Sequence, residues 1–260
     1  MKKEFDVKDI LKKVKEAAPL VVQITNFVSA SFQAACTLAL GAYAMMPVSE
    51  EEIEDVLSKA DSLLINIGTP ESDRIKCMLK ALTFANNKGI PVVLDPVGCG
   101  ASDMRRKLVL ELLSNGSFSI VKGNHGEILS IYGLSGIAKG VDSPSLGSFE
   151  SDIRSLVKEL AIKYNSLFVS TGEVNFFSDG EEVFEIAGGV GIMSKVTGMG
   201  CALGSVMATF LTVADPLTSV FCALELFSEI SKRAYSKYRG VGSFKIGFLD
   251  ELYILGEGYE

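Results

Sequence analysis

Six apolar runs of strand length recur through the first two-thirds of the chain, and segments of helical character separate them. The runs are Leu20–Ile24, Ala42–Met46, Ser62–Ile67, Pro91–Leu94, Ser117–Val121 and Leu167–Ser170. In Val92-Val93-Leu94 the apolar residues are consecutive, which suits a strand buried on both faces. The intervening stretches 28–41, 50–59, 71–88, 103–114, 124–132 and 149–164 read as helices. At the start, Val7, Ile10, Leu11 and Val14 fall at helical spacing. Ser49 followed by Glu50-Glu51-Glu52 predicts a capping box at one helix start. Such alternation predicts an α/β fold with a mostly parallel central sheet flanked by helices on both faces. Segments 173–178 and 181–187, joined by Ser178-Asp179-Gly180, predict an antiparallel hairpin at the sheet edge. From 199 onward the pattern is helical. At 260 residues, 48% of them hydrophobic, the chain suits one large domain over 1–260.

The formal net charge of −7 leaves no basic stripe for nucleic acid. Arg105-Arg106-Lys107 is too short for such a footprint and is expected to face solvent. An anionic ligand must then be held locally, by helix N-termini, a metal and a few Lys or Arg. The five cysteines are scattered and form no CxxC, and His125 is the single histidine. Zinc and a Ser-His-Asp triad are therefore disfavoured. Reduced thiols and an N-terminus without an apolar h-region point to a cytoplasmic protein. Thr197–Ala214 is uncharged over 18 residues, but its three glycines and its hydroxyl residues indicate a buried helix rather than a membrane span.

That run opens with Lys195-Val196-Thr197-Gly198-Met199-Gly200-Cys201. Glycines ahead of a helix leave backbone N–H groups bare where the helix dipole adds positive charge, a natural seat for a phosphoryl group. A tight turn before a buried helix would look the same. Cys201 would sit in the first turn, over the reacting centre, where the dipole is expected to lower its pKa. Polar residues also gather at strand ends: Asn26, Asn66, Gly68, Asp95, Asn124, Thr171 and Glu173. Ligands of open α/β sheets bind there. Asp95 stands where a strand meets a Pro/Gly loop, where an exposed acid has little structural use. Asn124-His125-Gly126-Glu127 reads either as a cap with its partner Glu or as a carboxylate holding Mg²⁺ through water. Lys122 is either a phosphate ligand or a solvated strand-end lysine. Met46 is core filler or a ligand contact, and His125, beside the suspected site, is a surface or packing residue.

Eight blocks occur in order over residues 20 to about 215. They are Ile24-Thr25-Asn26, Ala39-Leu40-Gly41-Ala42, Asn66-Ile67-Gly68-Thr69, Leu94-Asp95-Pro96-Val97-Gly98, Gly123-Asn124 with Glu127, Gly140-Val141-Asp142-Ser143, Thr171-Gly172-Glu173 and Lys195-Val196-Thr197-Gly198. The series resembles the hydroxyethylthiazole kinase family. The resemblance implies a ribokinase-like fold and transfer of the ATP γ-phosphate to the alcohol of 4-methyl-5-(2-hydroxyethyl)thiazole, a thiamine salvage step. It implies a homotrimer with sites at subunit interfaces. By position, Met46 and Gly198 would contact the thiazole, with Asn26 lining the same pocket. Lys122 and Thr171 would bind ATP, Asp95 and Glu127 would organise magnesium, and Cys201 would stand where related sugar kinases carry an Asp base. Gly198 and Gly200 would supply the anion-binding turn. The chain departs from the family's pattern at Gln23 (usually His), Ser31 and Ala35 (usually Asn), Lys122 (usually Arg) and Met199 (usually a small residue).

A loose phosphoryl-transfer transition state does not demand a strong base, so a thiol can stand where an acid would. Three rivals remain: another enzyme of the same fold, such as a hydroxymethylpyrimidine kinase or a hydrate-repair dehydratase; a non-catalytic thiazole or nucleotide binder; and a dehydrogenase, which lacks its GxGxxG after the first strand.

Overall fold

The computed structural model describes residues 5–134 and 146–257; within 146–152 it describes the helical backbone only. The Gly140–Ser143 block lies outside the described residues. Eight strands form one sheet in the order β2-β1-β3-β4-β5-β6-β7-β8. They are β1 (Leu20–Ile24), β2 (Tyr43–Met45), β3 (Ser62–Asn66), β4 (Val92–Asp95), β5 (Ile120–Asn124), β6 (Leu167–Thr171), β7 (Val174–Ser178) and β8 (Val183–Ala187). The first six run parallel, while β6–β7 and β7–β8 pair antiparallel. The expected hairpin therefore sits at the sheet edge, as the Ser178-Asp179-Gly180 turn indicated.

The consecutive apolar residues divide between two cores. Val21, Leu64, Val93, Ile120, Leu167 and Val169 face one layer. That layer is built from α1 (Val7–Ala17), α2 (Ala30–Ala39), α8 (Met199–Phe210), α9 (Pro216–Lys237) and α10 (Val241–Glu257). Val22, Leu63, Ile65, Val92, Leu94, Val121 and Phe168 face the other. It comprises α3 (Ile53–Leu57), α4 (Ser72–Lys88), α5 (Asp103–Asn115), α6 (His125–Tyr132) and α7 (Leu146–Tyr164). A period-two backbone buried on both sides requires this run of apolar residues. The uncharged run after Thr197 is the buried α8, and among the described residues no helix is long and apolar enough to cross a membrane.

Three expectations are corrected. The helix placed at 50–59 begins only at Ile53. The Ser49 hydroxyl instead accepts from Glu51 N, two residues on, a local turn that competes with a cap. The strand placed at Ser117–Val121 runs Ile120–Asn124, because Lys122, Gly123 and Asn124 pair with Val169, Ser170 and Thr171 of β6. Arg105 is half-buried rather than solvated. Its guanidinium donates to the carbonyls of Val97 (3.0 Å), Gly68 (2.7 Å) and Ile67 (3.3 Å), tying together the loops after β3 and β4.

Candidate active site

Because the first six strands are parallel, their carboxyl ends emerge on one side, and strand order fixes the order of the polar residues across it. Met46 follows β2, Asn26 lies just past β1, Asn66 ends β3 and Asp95 ends β4. Lys122 and Asn124 lie on β5, and Thr171 ends β6 beside Asn124. At about 4.8 Å per strand step the row is roughly 24 Å long. Helix α8 packs over β3 and β4, at the middle of the row.

Gly198 is the N-cap of α8, with φ +94° and ψ −3°, a left-handed conformation natural to glycine. A Cβ there would stand 3.0 Å from the Ser29 Cβ. The helical ladder begins with Ala202 N donating to Gly198 O at 2.8 Å, so the N–H groups of Gly200 and Cys201 precede it. Met199 is buried in the core under α8, so its bulk points away from this turn.

Lys122 is 3% exposed, and Asp95 is fully buried rather than exposed as expected, because Lys122 and Asn66 supply the partners that let a carboxylate leave water. Lys122 Nζ lies 3.2 Å from Asp95 Oδ1 and donates to Gly200 O at 2.9 Å, inside the first turn of α8. The solvated reading of Lys122 is thereby excluded. Burial pushes Asp95 up to about 6, although Lys122 pulls it down and Glu127 pushes it further up. Burial works against the Lys122 charge, but Asp95 and Glu127 overcome it and hold the ammonium above its ordinary value. Asn66 Nδ2 donates to Asp95 Oδ2 at 2.8 Å.

Glu127 and Asn124 form a complete capping box. Asn124 Oδ1 accepts from Glu127 N at 2.9 Å, and Glu127 Oε2 accepts from Asn124 N at 2.7 Å. Glu127 Oε1 accepts from Gly98 N at 2.8 Å, so one carboxylate joins the loop after β4 to the start of α6. Each oxygen keeps a second lone pair. Among the described residues no group of three His, Cys, Asp or Glu is poised to cage a metal.

Cys201 is half-buried, and the other four cysteines are buried. Its thiol is raised above the ordinary value by burial and then by Asp95, while Lys122, Ser29 and Asn66 pull it down. The expectation of a lowered thiol is overturned: desolvation and the neighbouring carboxylate raise it. Thr171 Oγ1 donates to Gly123 O at 3.3 Å. His125 Nδ1 lies 2.7 Å from Ser170 Oγ, and the ring lies so close over Gly172 that a Cβ there would collide with it. It packs, one of the two places the sequence left for it.

A buried polar network behind the site escapes sequence reading. Gln33 Nε2 donates to Thr25 Oγ1 (2.6 Å) and Ser29 Oγ (2.7 Å). Ser205 Oγ lies 2.9 Å from Gln23 Oε1 and 3.2 Å from Gln33 Oε1, and Gln23 Nε2 donates to Thr37 Oγ1 at 2.8 Å. The Gln33/Thr37 and Cys201/Ser205 pairs each sit four apart on a helix, which is the one signal that could have placed them together.

A glycine-capped helix over the carboxyl ends of a parallel sheet, with a carboxylate, a lysine and a thiol gathered at its first turn, is the arrangement expected of a small-molecule kinase with a ribokinase-like fold. Residues 11–257 match the sequence profile of the hydroxyethylthiazole kinase family, and the chain belongs to that family. A hydroxyethylthiazole kinase from Pyrococcus horikoshii is 39% identical over 249 residues, spanning 96% of this chain and 93% of the relative. The solved structure of a hydroxyethylthiazole kinase from the same organism superposes with a TM-score of 0.87 at 37% identity, over 95% of this chain and 92% of that one. A ribokinase-like superfamily protein from Enterococcus faecalis shares the fold at 18% identity, with a TM-score of 0.69 over 96% of this chain and 94% of that one.

Proposed function

We propose that this chain moves the γ-phosphate of ATP onto the hydroxyl of 4-methyl-5-(2-hydroxyethyl)thiazole, as a salvage step toward thiamine. The observation that carries the reading is the linear order of side chains beneath α8. Met46 and Asn26 lie at the β2–β1 end, where the thiazole would sit against Gly198. Lys122 and Thr171 lie at the β5–β6 end, where the nucleotide would lie. The Gly198–Cys201 turn stands between them and binds the group in transit. Its N–H groups favour the charge that builds on the phosphoryl oxygens.

Asp95 and Glu127 suit a magnesium ion held mainly by phosphate and water, since Mg²⁺ needs only one or two carboxylates and each of these keeps a free lone pair. When bound, the ion would neutralise phosphate charge. Lys122 keeps Asp95 ionised and steadies the first turn through Gly200 O. A non-catalytic binder would retain ligand without alcohol-dependent ADP release. An enzyme releases ADP only when ATP, Mg²⁺ and the thiazole alcohol are all present.

With its thiol raised, Cys201 assists the departure of the alcohol proton rather than acting as a preformed base. Cys201→Ala is expected to lower kcat about 10-fold, short of the ~10²- to 10⁴-fold cost of deleting a true general base. Cys201→Asp should match or exceed the parent, because a carboxylate there can accept the alcohol proton and Lys122 offsets part of the Asp95 repulsion at 201. Steady-state kinetics on both, with melts as folding controls, decides. An inactive, folded Cys201→Asp would refute this role.

The β2 edge carries a cluster of exposed apolar side chains: Phe27 (68% exposed), Val28, Leu38, Tyr43 (61%), Met45 and Val48 (65%). A patch of this kind marks a protein contact. It lies beside Asn26 and Met46, which supports a homotrimer whose neighbours complete the alcohol end of each site. Light scattering should give three chains per particle at assay concentration, and a fully active monomer would exclude the trimer.

A further inference from the structure

Two backbone N–H groups settle the orientation of two side-chain amides beside the Cys201 thiol. Ser29 N can only donate, and it does so to Asn26 Oδ1 at 3.0 Å, joined by Ser29 Oγ at 2.9 Å. The Asn26 nitrogen therefore faces the other way, 2.8 Å from Asn66 Oδ1 and 3.5 Å from Cys201 Sγ. Gly68 N likewise can only donate, to Asn66 Oδ1 at 3.0 Å. This leaves the Asn66 nitrogen facing Asp95 Oδ2, an acceptor, at 2.8 Å. Every donor in the chain Asp95–Asn66–Asn26–Cys201 meets an acceptor, and reversing either amide would set N–H against N–H. Asn26 and Asn66 are buried. The backbone of Gly68 also lies against the Asn26 amide: a Cβ on Gly68 would come within 2.8 Å of Asn26 Cβ and Nδ2.

We propose that Asn66 and Gly68 are positioning residues for phosphoryl transfer, holding the Asn26 amide with its second N–H on the Cys201 sulfur. Gly68 does not touch the reacting atoms, and Asn66, which also lies within hydrogen-bonding reach of the Cys201 thiol, acts here through Asn26. Asn66 orients Asn26 by hydrogen bonding, and Gly68 leaves the room that this orientation needs. The inference rests on the role of Cys201 proposed above.

Gly68→Ala is the deciding test, since it displaces Asn26 while leaving Asn66 on Asp95; Asn66→Ser, too short to reach Asn26, is a supporting variant, because it also gives up the contacts of Asn66 with Asp95 and the thiol. Three readouts are taken on folded protein. Both variants are expected to lower kcat about 5-fold with KM for ATP within about 2-fold, as befits a contact felt by the reacting end of the site. Alkylation of Cys201 by iodoacetamide at pH 8, without substrates, should slow about 3-fold, because a donor on sulfur favours the reactive thiolate. In a Cys201→Ala background Gly68→Ala should cost less than about 2-fold more, the non-additivity of residues acting through one group. Parental kcat and alkylation in a folded Gly68→Ala overturn the proposal, as does a full 5-fold loss repeated in the Cys201→Ala background. A Cys201→Ala enzyme with unchanged kcat defeats the role of the thiol instead, and the alkylation rate alone then decides whether Asn66 and Gly68 hold Asn26 on the sulfur.

Discussion

Gly198→Val is expected to abolish measurable turnover, with a loss above about 10³-fold, the cost of more than one misplaced oxyanion donor. The φ of +94° excludes a β-branched side chain without strain of roughly 1–3 kcal/mol. The new Cβ would press on Ser29 at 3.0 Å, and Ser29 holds the Asn26 amide. Both the turn and the substrate end would shift together. Gly200→Ala is the internal contrast. Its Cβ would stand 3.6 Å from Lys122 Nζ, an ordinary contact, and its backbone is already helical, so its melting temperature should hold or rise. Kinetics and melts on the pair separate a strained cap from a merely crowded helix start. A folded Gly198→Val enzyme with normal kcat would remove the anion-binding role from the turn.

Asp95→Ala is expected to destabilise the protein by about 3–5 kcal/mol, because it strands a buried ammonium. Lys122→Met strands the carboxylate in the same way, and the double variant should cost clearly less than the two singles together. The pH dependence has a definite sign. The folded Asp95 value of about 6 lies above the ordinary carboxylate range, so folding favours the protonated acid. Stability from this group is full below the unfolded value near pH 4 and is lost as pH rises through about 6. Activity runs the opposite way if ionised Asp95 is the working form, and kcat/KM should climb through pH 6. In Lys122→Met the climb should move to higher pH, because Lys122 pulls the Asp95 value down. A limb that stays in place would separate Lys122 from Asp95.

The layer architecture was legible because it depends on consecutive apolar residues, and Val92-Val93-Leu94 can be read without knowing its neighbours. The end of β5 was not. Lys122 and Asn124 are poor strand formers, and only pairing with β6 carries the strand through them. Arg105 looked solvated because a charge on an amphipathic helix usually is, yet three carbonyls from distant loops meet it. The site residues stood out as polar groups after apolar runs. Their order across the sheet could not be read, since β1 lies between β2 and β3 rather than at the edge. Gln33 and Ser205 were invisible for a related reason, and Gln23 stood out only as a departure from the family's pattern. Buried amides and hydroxyls resemble surface residues in sequence, and only the approach of α2, α8 and β1 makes them mutual partners. The Cys201 thiol failed in the other direction: the helix terminus was visible, whereas the burial and the Asp95 charge that raise the thiol were not.

The most direct test of the thiazole kinase reading is alcohol-dependent ADP release with Mg²⁺ across hydroxyethylthiazole, hydroxymethylpyrimidine, pyridoxal and ribose, compared as kcat/KM. Hydroxyethylthiazole is predicted to lead the panel by at least about 10²-fold, the margin a fitted pocket gives over ligands of different shape. Preference for the pyrimidine, or ADP release that ignores every alcohol, would contradict it.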